Sequence, residues 1–353
     1  MKTKKAFHNI LYLLPLLLLL ALNACKHDDL QIDKPSDNFR PAFDFVKNNY
    51  DLSLFAAAIE KTGIAQQLNG AGPFTILAPS NAAFNIIGIN RPADLDKMNP
   101  DTLKFLVQRH ILNERLLIQD IPVNGIDVRY RTLAGTELYA SKSNRNTEPN
   151  VYFNGSYVGR QDVNLANGAL HVLNRVMKST AKTTVQGWLA QRPEYSILVS
   201  GLKKFGYWDE LATEGPYTIL APKNAVFEAA GINAADINAL NPDRYIGARL
   251  FGCYVLRKKH FFISDLVVLA EINADSFYNY VIPNDTYVMT ISASNFSNIV
   301  AYGIQVRTNA VFPYEIVTTV GGNDQKALDN LTDNGLVQDL QGVLIMPEQA
   351  IKR

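Results

Sequence analysis

Histidine and cysteine are the residue types in this chain that could support metal or nucleophilic chemistry, and both are scarce. The 353 residues include 5 histidines and 2 cysteines. Beyond the N-terminal segment the histidines are His27, His110, His171 and His260, and no two of them have the spacing of a metal site. His110 and His171 lie in apolar segments, so we expect both to be hydrogen-bonded core residues. The sequence also lacks the Gly-x-Ser-x-Gly elbow of a serine hydrolase and any phosphate-binding glycine loop.

Cys253 lies in an apolar segment with Ile246, Leu250 and Tyr254. This setting is typical of an inert buried thiol rather than a nucleophile. Because no pair of a base and a nucleophile can be assembled, and no ligand set either, we expect no catalytic activity, no metal and no bound cofactor.

Cys25 stands at the end of an N-terminus that has the layout of a secretory signal. Lysines begin the segment, residues 10–22 are almost wholly apolar, and Asn23 and Ala24 precede the cysteine. The apolar run of about 13 residues is shorter than the roughly 20 that a membrane-spanning helix needs, so residues 1–24 are predicted to be a removed signal peptide. Cys25 resembles the acylated first residue of a bacterial lipoprotein. The alternative is an ordinary secreted protein with an incidental cysteine.

The four residues after the cysteine are charged or polar: Lys26, His27, Asp28 and Asp29. They resemble the short tag that directs Bacteroidetes lipoproteins to the outer face of the outer membrane, and the alternative is a charged flexible tether. We therefore expect a tether at 25–38, a covalent lipid on Cys25, and attachment to the outer membrane on the side facing the cell exterior.

Length and charge bound the function further. The chain that remains after residue 24 is longer than a single hydrophobic core usually supports, which indicates two domains. The formal net charge is +1 and 19% of residues are charged. The composition therefore shows no basic excess for nucleic-acid binding.

An internal repeat organises the chain. Residues 72–84 recur as residues 215–227 with most positions identical. In the first copy, Phe74 to Leu77 is a short apolar run that predicts a buried strand. Pro79 ends it, and Ser80 or Asn81 can then cap a helix that carries Phe84 inward. A duplicated domain is the simplest explanation.

Two further segments repeat. Residues 99–101 and 241–243 both read Asn-Pro-Asp, a combination that predicts the start of a helix. Residues 167–177 and 334–344 both begin with Asn-Gly and continue with apolar residues, which predicts a turn entering a closing strand. The second copy is longer than the first, and its extra length lies between Cys253 and Asn334.

These motifs resemble those of the fasciclin-like domain family. Residues 74–84 look like the family's first motif and residues 167–177 look like its second, with His171 in the place of the family histidine. Arg109-His110-Ile111-Leu112 resembles the central Tyr-His segment, with arginine replacing tyrosine.

The second copy diverges from the pattern. Gln338 replaces the histidine of the second motif. Residues 253–256 stand where the central histidine segment is expected, whereas alignment by the Asn-Pro-Asp triplet places Gly252 opposite His110. The sequence leaves both alignments open.

The resemblance implies an α+β fold made of two tandem fasciclin-like wedges, in which β-strands pack beside helices, at residues 39–180 and 184–348. It also implies an extracellular or surface-attached protein that mediates adhesion or protein contacts and has no catalytic centre.

The extension of the second copy is the predicted contact region. A long segment of this kind is often functional, although extra edge strands are the simpler explanation. Its exposed aromatic residues would be Phe277, Tyr278 and Tyr280. We expect a protein partner at the cell surface. A SusC/SusD-like outer-membrane nutrient transporter and a glycan are the more specific alternatives.

Overall fold

The computed structural model describes residues 39–123, 125–143, 149–273, 277–296 and 299–352. The chain divides into two units, Met1–Phe39 and Arg40–Arg353, and the architecture below is that of the second unit. The expected signal peptide, the tether, Cys25 and the tag at 26–29 lie outside the described residues. Within the described part, no helix is both long enough and apolar enough to cross a membrane.

The first wedge packs short helices against one sheet. Its helices are α1 (Ala42–Lys47), α2 (Ser53–Thr62), α3 (Ala65–Asn69), α4 (Asn81–Ile86) and α5 (Pro100–Gln108), with 3₁₀ turns at Tyr50–Leu52, Pro92–Lys97 and Ile118–Asp120. Its strands are β1 (Phe74–Pro79), β2 (Ile111–Leu112), β3 (Gly125–Arg131), β4 (Glu137–Lys142), β5 (Val151–Phe153), β6 (Ser156–Leu165) and β7 (Gly168–Leu173). They form a seven-stranded sheet in the order β2-β1-β7-β6-β5-β4-β3.

The second wedge repeats this plan but divides its strands between two sheets. Its helices are α6 (Val185–Ala190), α7 (Ser196–Lys204), α8 (Asn224–Ala229), α9 (Ala234–Ala239), α10 (Gly247–Leu250) and α11 (Ile263–Asn273), with 3₁₀ turns at Pro193–Tyr195, Asp209–Ala212, Pro242–Arg244, Gly252–Tyr254 and Pro347–Ala350. Its strands are β8 (Tyr217–Pro222), β9 (Val255–Arg257), β10 (Tyr278–Val281), β11 (Val288–Phe296), β12 (Ile299–Arg307), β13 (Ile316–Gly322), β14 (Asn330–Thr332) and β15 (Gly335–Leu340). They form two four-stranded sheets, β14-β15-β8-β9 and β10-β11-β12-β13.

The repeated motif forms an interior strand in both wedges. β1 pairs antiparallel with β2 and parallel with β7, and β8 pairs antiparallel with β9 and parallel with β15. All residues of both strands are buried. Such a strand reads as an unbroken apolar run rather than an alternating one. In the first wedge the Ser80 side chain caps α4 through the N–H of Ala83. The predicted unit of strand, turn and helix is confirmed.

Strand register decides between the two sequence alignments. Thr75 lies opposite Leu112 in the first wedge, and the equivalent Thr218 lies opposite Leu256 in the second. His110 lies two residues before Leu112, and Tyr254 lies two residues before Leu256. Tyr254 is therefore the residue of the second wedge that corresponds to His110. The segment 253–256 is therefore the structural equivalent of 109–112, and the alignment through Gly252 is wrong.

The two Asn-Pro-Asp triplets have different outcomes. Asn99 caps α5, a nine-residue helix, with its side chain accepting hydrogen bonds from Asp101 and Thr102. Asn241 caps only the 3₁₀ turn Pro242–Arg244. The predicted helix start is confirmed at both triplets, although the second helix is a single 3₁₀ turn. The chain turns extended after this point because the N–H of Ile246 donates to the carbonyl of Ala350 at 2.7 Å.

The longer interval between β9 and β14 of the second wedge contains α11 and the sheet β10–β13, which we call the extension. Met289, Ile291 and Ile304 of this sheet are buried and join the core of the second wedge. The extension is therefore an ordered part of the wedge rather than a structureless loop.

The two wedges meet through β4 and the start of α11. The ring of Tyr139 packs on His260 and Phe262, with ring centroids 4.4 and 5.8 Å apart. Beside them, the Ser141 hydroxyl donates to the buried Asp265 carboxylate. This junction buries both aromatic and ionisable groups.

Candidate partner-binding surface

The two family histidines are structural residues of the first wedge. His110 and His171 are fully buried. His110 Nδ1 bonds to the Leu106 carbonyl at 2.7 Å, and its Nε2 accepts from the Met177 N–H at 3.0 Å. His171 Nε2 donates to the Leu116 carbonyl at 2.9 Å, and its Nδ1 accepts from the Asp162 N–H at 3.2 Å. Burial lowers the pKa of His110 to about 3 and also lowers that of His171, so both rings are neutral.

The second wedge makes the same bonds with other side chains. Gln338 Nε2 donates to the Phe261 carbonyl at 2.9 Å, and its Oε1 accepts from the Asp329 N–H at 2.7 Å. The Tyr254 hydroxyl accepts from the Leu344 N–H at 3.0 Å, as His110 accepts from Met177. The sequence divergence at these two positions therefore preserves three of the four hydrogen bonds, which indicates a structural role for both histidines.

The asparagines shared by the repeats fasten the N-terminal helices. Asn81 accepts from the Leu54 N–H at 3.0 Å and donates to the Tyr50 carbonyl at 2.8 Å. Asn224 does the same with Ile197 and Pro193, at 3.0 and 2.9 Å. Each of these two motif asparagines thus fastens an N-terminal helix to the rest of its own wedge.

The remaining candidates for chemistry are also explained by packing. Cys253 is fully buried, and this burial raises its pKa well above the usual value, as predicted for an inert thiol. Across the described residues, no group of three His, Cys, Asp or Glu side chains could hold a metal ion.

A cavity of about 290 Å³ opens between the two wedges, lined in part by Ile86, Ile87, Arg175 and Lys178. Lys178 donates to the carbonyls of Lys326 and Leu328, and to Asn330, and burial lowers its pKa to about 8. Arg175 likewise bonds to residues of both wedges. These two cations link the wedges to each other. Most of their hydrogen-bond donors are therefore already used and few are left for a ligand.

The three aromatic residues predicted as contacts lie in or beside the edge strand β10, but they differ in exposure. Phe277 is 38% exposed and Tyr278 is half-buried. Tyr280 is only 7% exposed, and its hydroxyl bonds to the carbonyl of Val255 at 3.3 Å. The prediction of Tyr280 as a contact residue is wrong because its ring packs into the core, whereas Phe277 and Tyr278 stay predictions.

The most exposed apolar side chains of the extension lie elsewhere, at the tip of the β12–β13 hairpin. Val311 is 75% exposed and Phe312 is 81% exposed. The loop is ordered by Asn309, whose side chain accepts from the Val311 N–H at 3.1 Å and donates to the Pro313 carbonyl at 3.0 Å. The sequence signal was the apolar run 310–313 set between polar residues.

An arginine connects the tip to the predicted aromatic residues. The Arg307 guanidinium lies 4.5 Å from the Tyr314 ring centroid and 6.0 Å from that of Phe277. Arg307 also donates to Asn279 at 2.8 Å. The arginine thus lies within cation–π range of both rings.

Comparison with known proteins finds similarity to the fasciclin domain in the first wedge. Residues 50–179 match the family model of the fasciclin domain. Human periostin is 29% identical over 188 residues, which cover 52% of this chain and 21% of periostin. The transforming growth factor-beta-induced protein ig-h3 of Sus scrofa is 30% identical over 138 residues, which cover 39% of this chain and 19% of that protein. This chain thus spans about a fifth of the length of these two relatives.

Two more distant similarities are also found. Protein sll1483 of Synechocystis is 24% identical over 144 residues, covering 40% of this chain and 75% of that protein. The solved FAS1 domain pair of the insect cell adhesion molecule fasciclin I is 18% identical, with a TM-score of 0.38 over 85% of this chain and 98% of that one. The predicted α+β fold is confirmed, and residues 50–179 of the first wedge match the fasciclin domain.

Proposed function

We propose that this chain is an interaction protein that binds a protein partner at the cell surface through the extension of its second wedge, and that it has no catalytic activity. The residues that family motifs and chemistry single out are committed to internal hydrogen bonds. The binding capacity of the molecule therefore lies in its surface.

One observation carries the proposal. Half of the exposed large apolar side chains in the described residues lie between 277 and 316, and the two most exposed of these are Val311 and Phe312. Concentrated exposed apolar residues mark interaction sites. Two hydrogen bonds of Asn309 brace the tip, and a braced loop loses less conformational entropy on binding than a disordered one.

The experiment compares the native protein with the double variant Val311→Ser/Phe312→Ser in capture of partners from cell-envelope membranes, followed by mass spectrometry. Fully burying each of these side chains is worth about 1.5–3 kcal/mol, so the variant is expected to lose at least tenfold in captured partner. Tyr50→Ser is the matched control, because Tyr50 is 88% exposed on the first wedge. Equal capture by all three proteins would rule the proposal out.

We also propose that Cys25 carries the lipid that holds the protein on the outer membrane, with residues 26–29 directing it to the exterior. Stable anchoring takes more than one acyl chain, which an acylated N-terminal cysteine provides. Labelled fatty acid is expected to follow the protein and to be lost in Cys25→Ala. A Cys25→Ala protein that stays on the membrane would contradict the anchor.

Two narrower partners remain proposals. A SusC/SusD-like outer-membrane transporter is the protein alternative, and capture that recovers no outer-membrane transporter would count against it. A glycan is the other alternative, favoured by the Phe277 ring beside Arg307. Titration with a polysaccharide panel tests it, and Phe277→Ala is expected to abolish any binding that is seen.

A further inference from the structure

The open edge of β13 borders a groove at the base of the hairpin. β13 has seven residues and pairs with β12 on one side only. The end of β13 near Val320 is covered by Gly342, which lies against the Val320 side chain. Its start, from Ile316 to Thr319, has no hydrogen-bond partner on the outer side among the described residues. An edge of this kind offers backbone N–H and C=O groups to another strand.

The groove has a volume of about 970 Å³. Its apolar and aromatic lining residues include Ile316 and Val317 of β13, together with Tyr287 and Ile351. Ile316 is 54% exposed and Ile351 is 43% exposed. The groove therefore combines an unpaired strand edge with apolar side chains, as a site for an extended peptide requires.

The charged side chains that line the groove leave it with a net negative charge. Arg249 donates to both carboxylate oxygens of Asp285, at 2.8 and 2.7 Å, and stacks 3.6 Å from the Tyr287 ring centroid. Its charge is thus neutralised within the wedge. Glu315 and Glu348 also line the groove and are exposed, and neither carboxylate has an ion pair within the described residues. The groove is left with unpaired negative charge.

We propose that this groove binds an extended segment of a partner protein in which lysine or arginine alternates with apolar residues, and that the segment adds as a strand to the edge of β13. The backbone would pair with β13, the apolar side chains would contact Ile316 and Ile351, and the cations would meet Glu315 and Glu348. Side chains alternate along a strand, so one segment can satisfy both requirements. This inference rests on the proposed binding function and adds the chemistry of the partner.

The experiment uses the purified full chain and the peptide acetyl-(Lys-Val)₃-amide, with acetyl-(Glu-Val)₃-amide as the matched peptide. Calorimetric titration is expected to show binding of the lysine peptide at least tenfold tighter than that of the glutamate peptide. Glu315→Lys/Glu348→Lys is expected to remove that preference. The control variant Glu194→Lys/Glu228→Lys carries the same change of charge at exposed positions outside the groove and is expected to retain it.

Backbone methylation tests the strand geometry itself. Alternate N–H groups of an added strand point toward β13, so methylating one alternate set should abolish binding while methylating the other set should leave it. Equal binding of both methylated peptides, no binding of the lysine peptide, or a dimer of this chain seated on the groove in sedimentation would overturn the inference. Loss of peptide binding with partner capture through Val311 and Phe312 intact would overturn this inference alone and leave the proposed function standing.

Discussion

Replacing His171 with glutamine should be almost neutral, because the second wedge already uses glutamine at this position. His171 makes two bonds, to the Leu116 carbonyl and from the Asp162 N–H, and Gln338 makes the equivalent pair. His171→Ala leaves both backbone groups without a partner, at about 1–3 kcal/mol for a buried group, and removes the ring as well. We expect His171→Ala to lower the free energy of unfolding by roughly 2–5 kcal/mol, and His171→Gln by less than about 1 kcal/mol.

The same change should alter the pH dependence of stability. Burial lowers the pKa of His171, so the folded state binds fewer protons than the unfolded state. The contribution of the neutral ring is therefore complete above about pH 6.5 and is lost as the pH falls below that value. His171→Gln should reduce the loss of stability in acid. It should not remove it, since the pKa of His110 is lowered as well.

The assay must resolve the wedges. Both tryptophans, Trp188 and Trp208, lie in the second wedge, so their fluorescence during urea unfolding reports that wedge. Hydrogen exchange of peptides from β1 and β7 reports the first. Gln338→Ala is the matched variant and should destabilise the second wedge instead. If His171→Gln destabilises the first wedge as much as His171→Ala does, the structural account of the motif is wrong.

The remaining predictions concern the junction, the thiol and the asparagine contacts. Burial raises the pKa of Asp265 to about 7, although the hydrogen bond from Ser141 acts in the opposite direction. The stability that the protonated carboxyl contributes is therefore complete below about pH 4 and is lost as the pH rises through 7. Asp265→Asn should be more stable than the native protein at pH 8, by up to about 4 kcal/mol in urea unfolding, and an unchanged difference between pH 5 and pH 8 would contradict this. In a Cys25→Ala background, Cys253 should react with a bulky thiol reagent only after denaturation, and rapid labelling of the folded protein would show that the thiol is accessible. Asn81→Ala should lower the free energy of unfolding by roughly 1–3 kcal/mol and increase hydrogen exchange in α2. Asn224→Ala should have the same effects on the second wedge and on α7. Unchanged exchange in both helices would refute the role of these side chains.

Local patterns predicted the interior of the wedges well. The run Phe74 to Leu77 and its copy could only be buried strands, and the side chain of Ser80 could cap the following helix. The closing strand after Asn167 was equally clear, because a turn pair and apolar residues specify it locally. These features depend on near neighbours in the sequence.

Features set by distant contacts were missed. The helix that starts at Asn241 is only a 3₁₀ turn, because the N–H of Ile246 bonds to the carbonyl of Ala350, more than a hundred residues away. Tyr280 was expected at the surface, yet it lies inside because the β10–β13 sheet packs onto the core of its own wedge. None of these contacts leaves a local pattern.

The most direct test of the central claim is photo-crosslinking from the hairpin tip. A photoreactive amino acid placed at Val311, in protein on its native membrane, is expected to give a discrete crosslink to one protein partner. The same amino acid placed at Tyr50 on the first wedge is expected to give none. A crosslink at position 50 alone, or equal diffuse labelling from both positions, would contradict the claim that the extension of the second wedge is the binding surface.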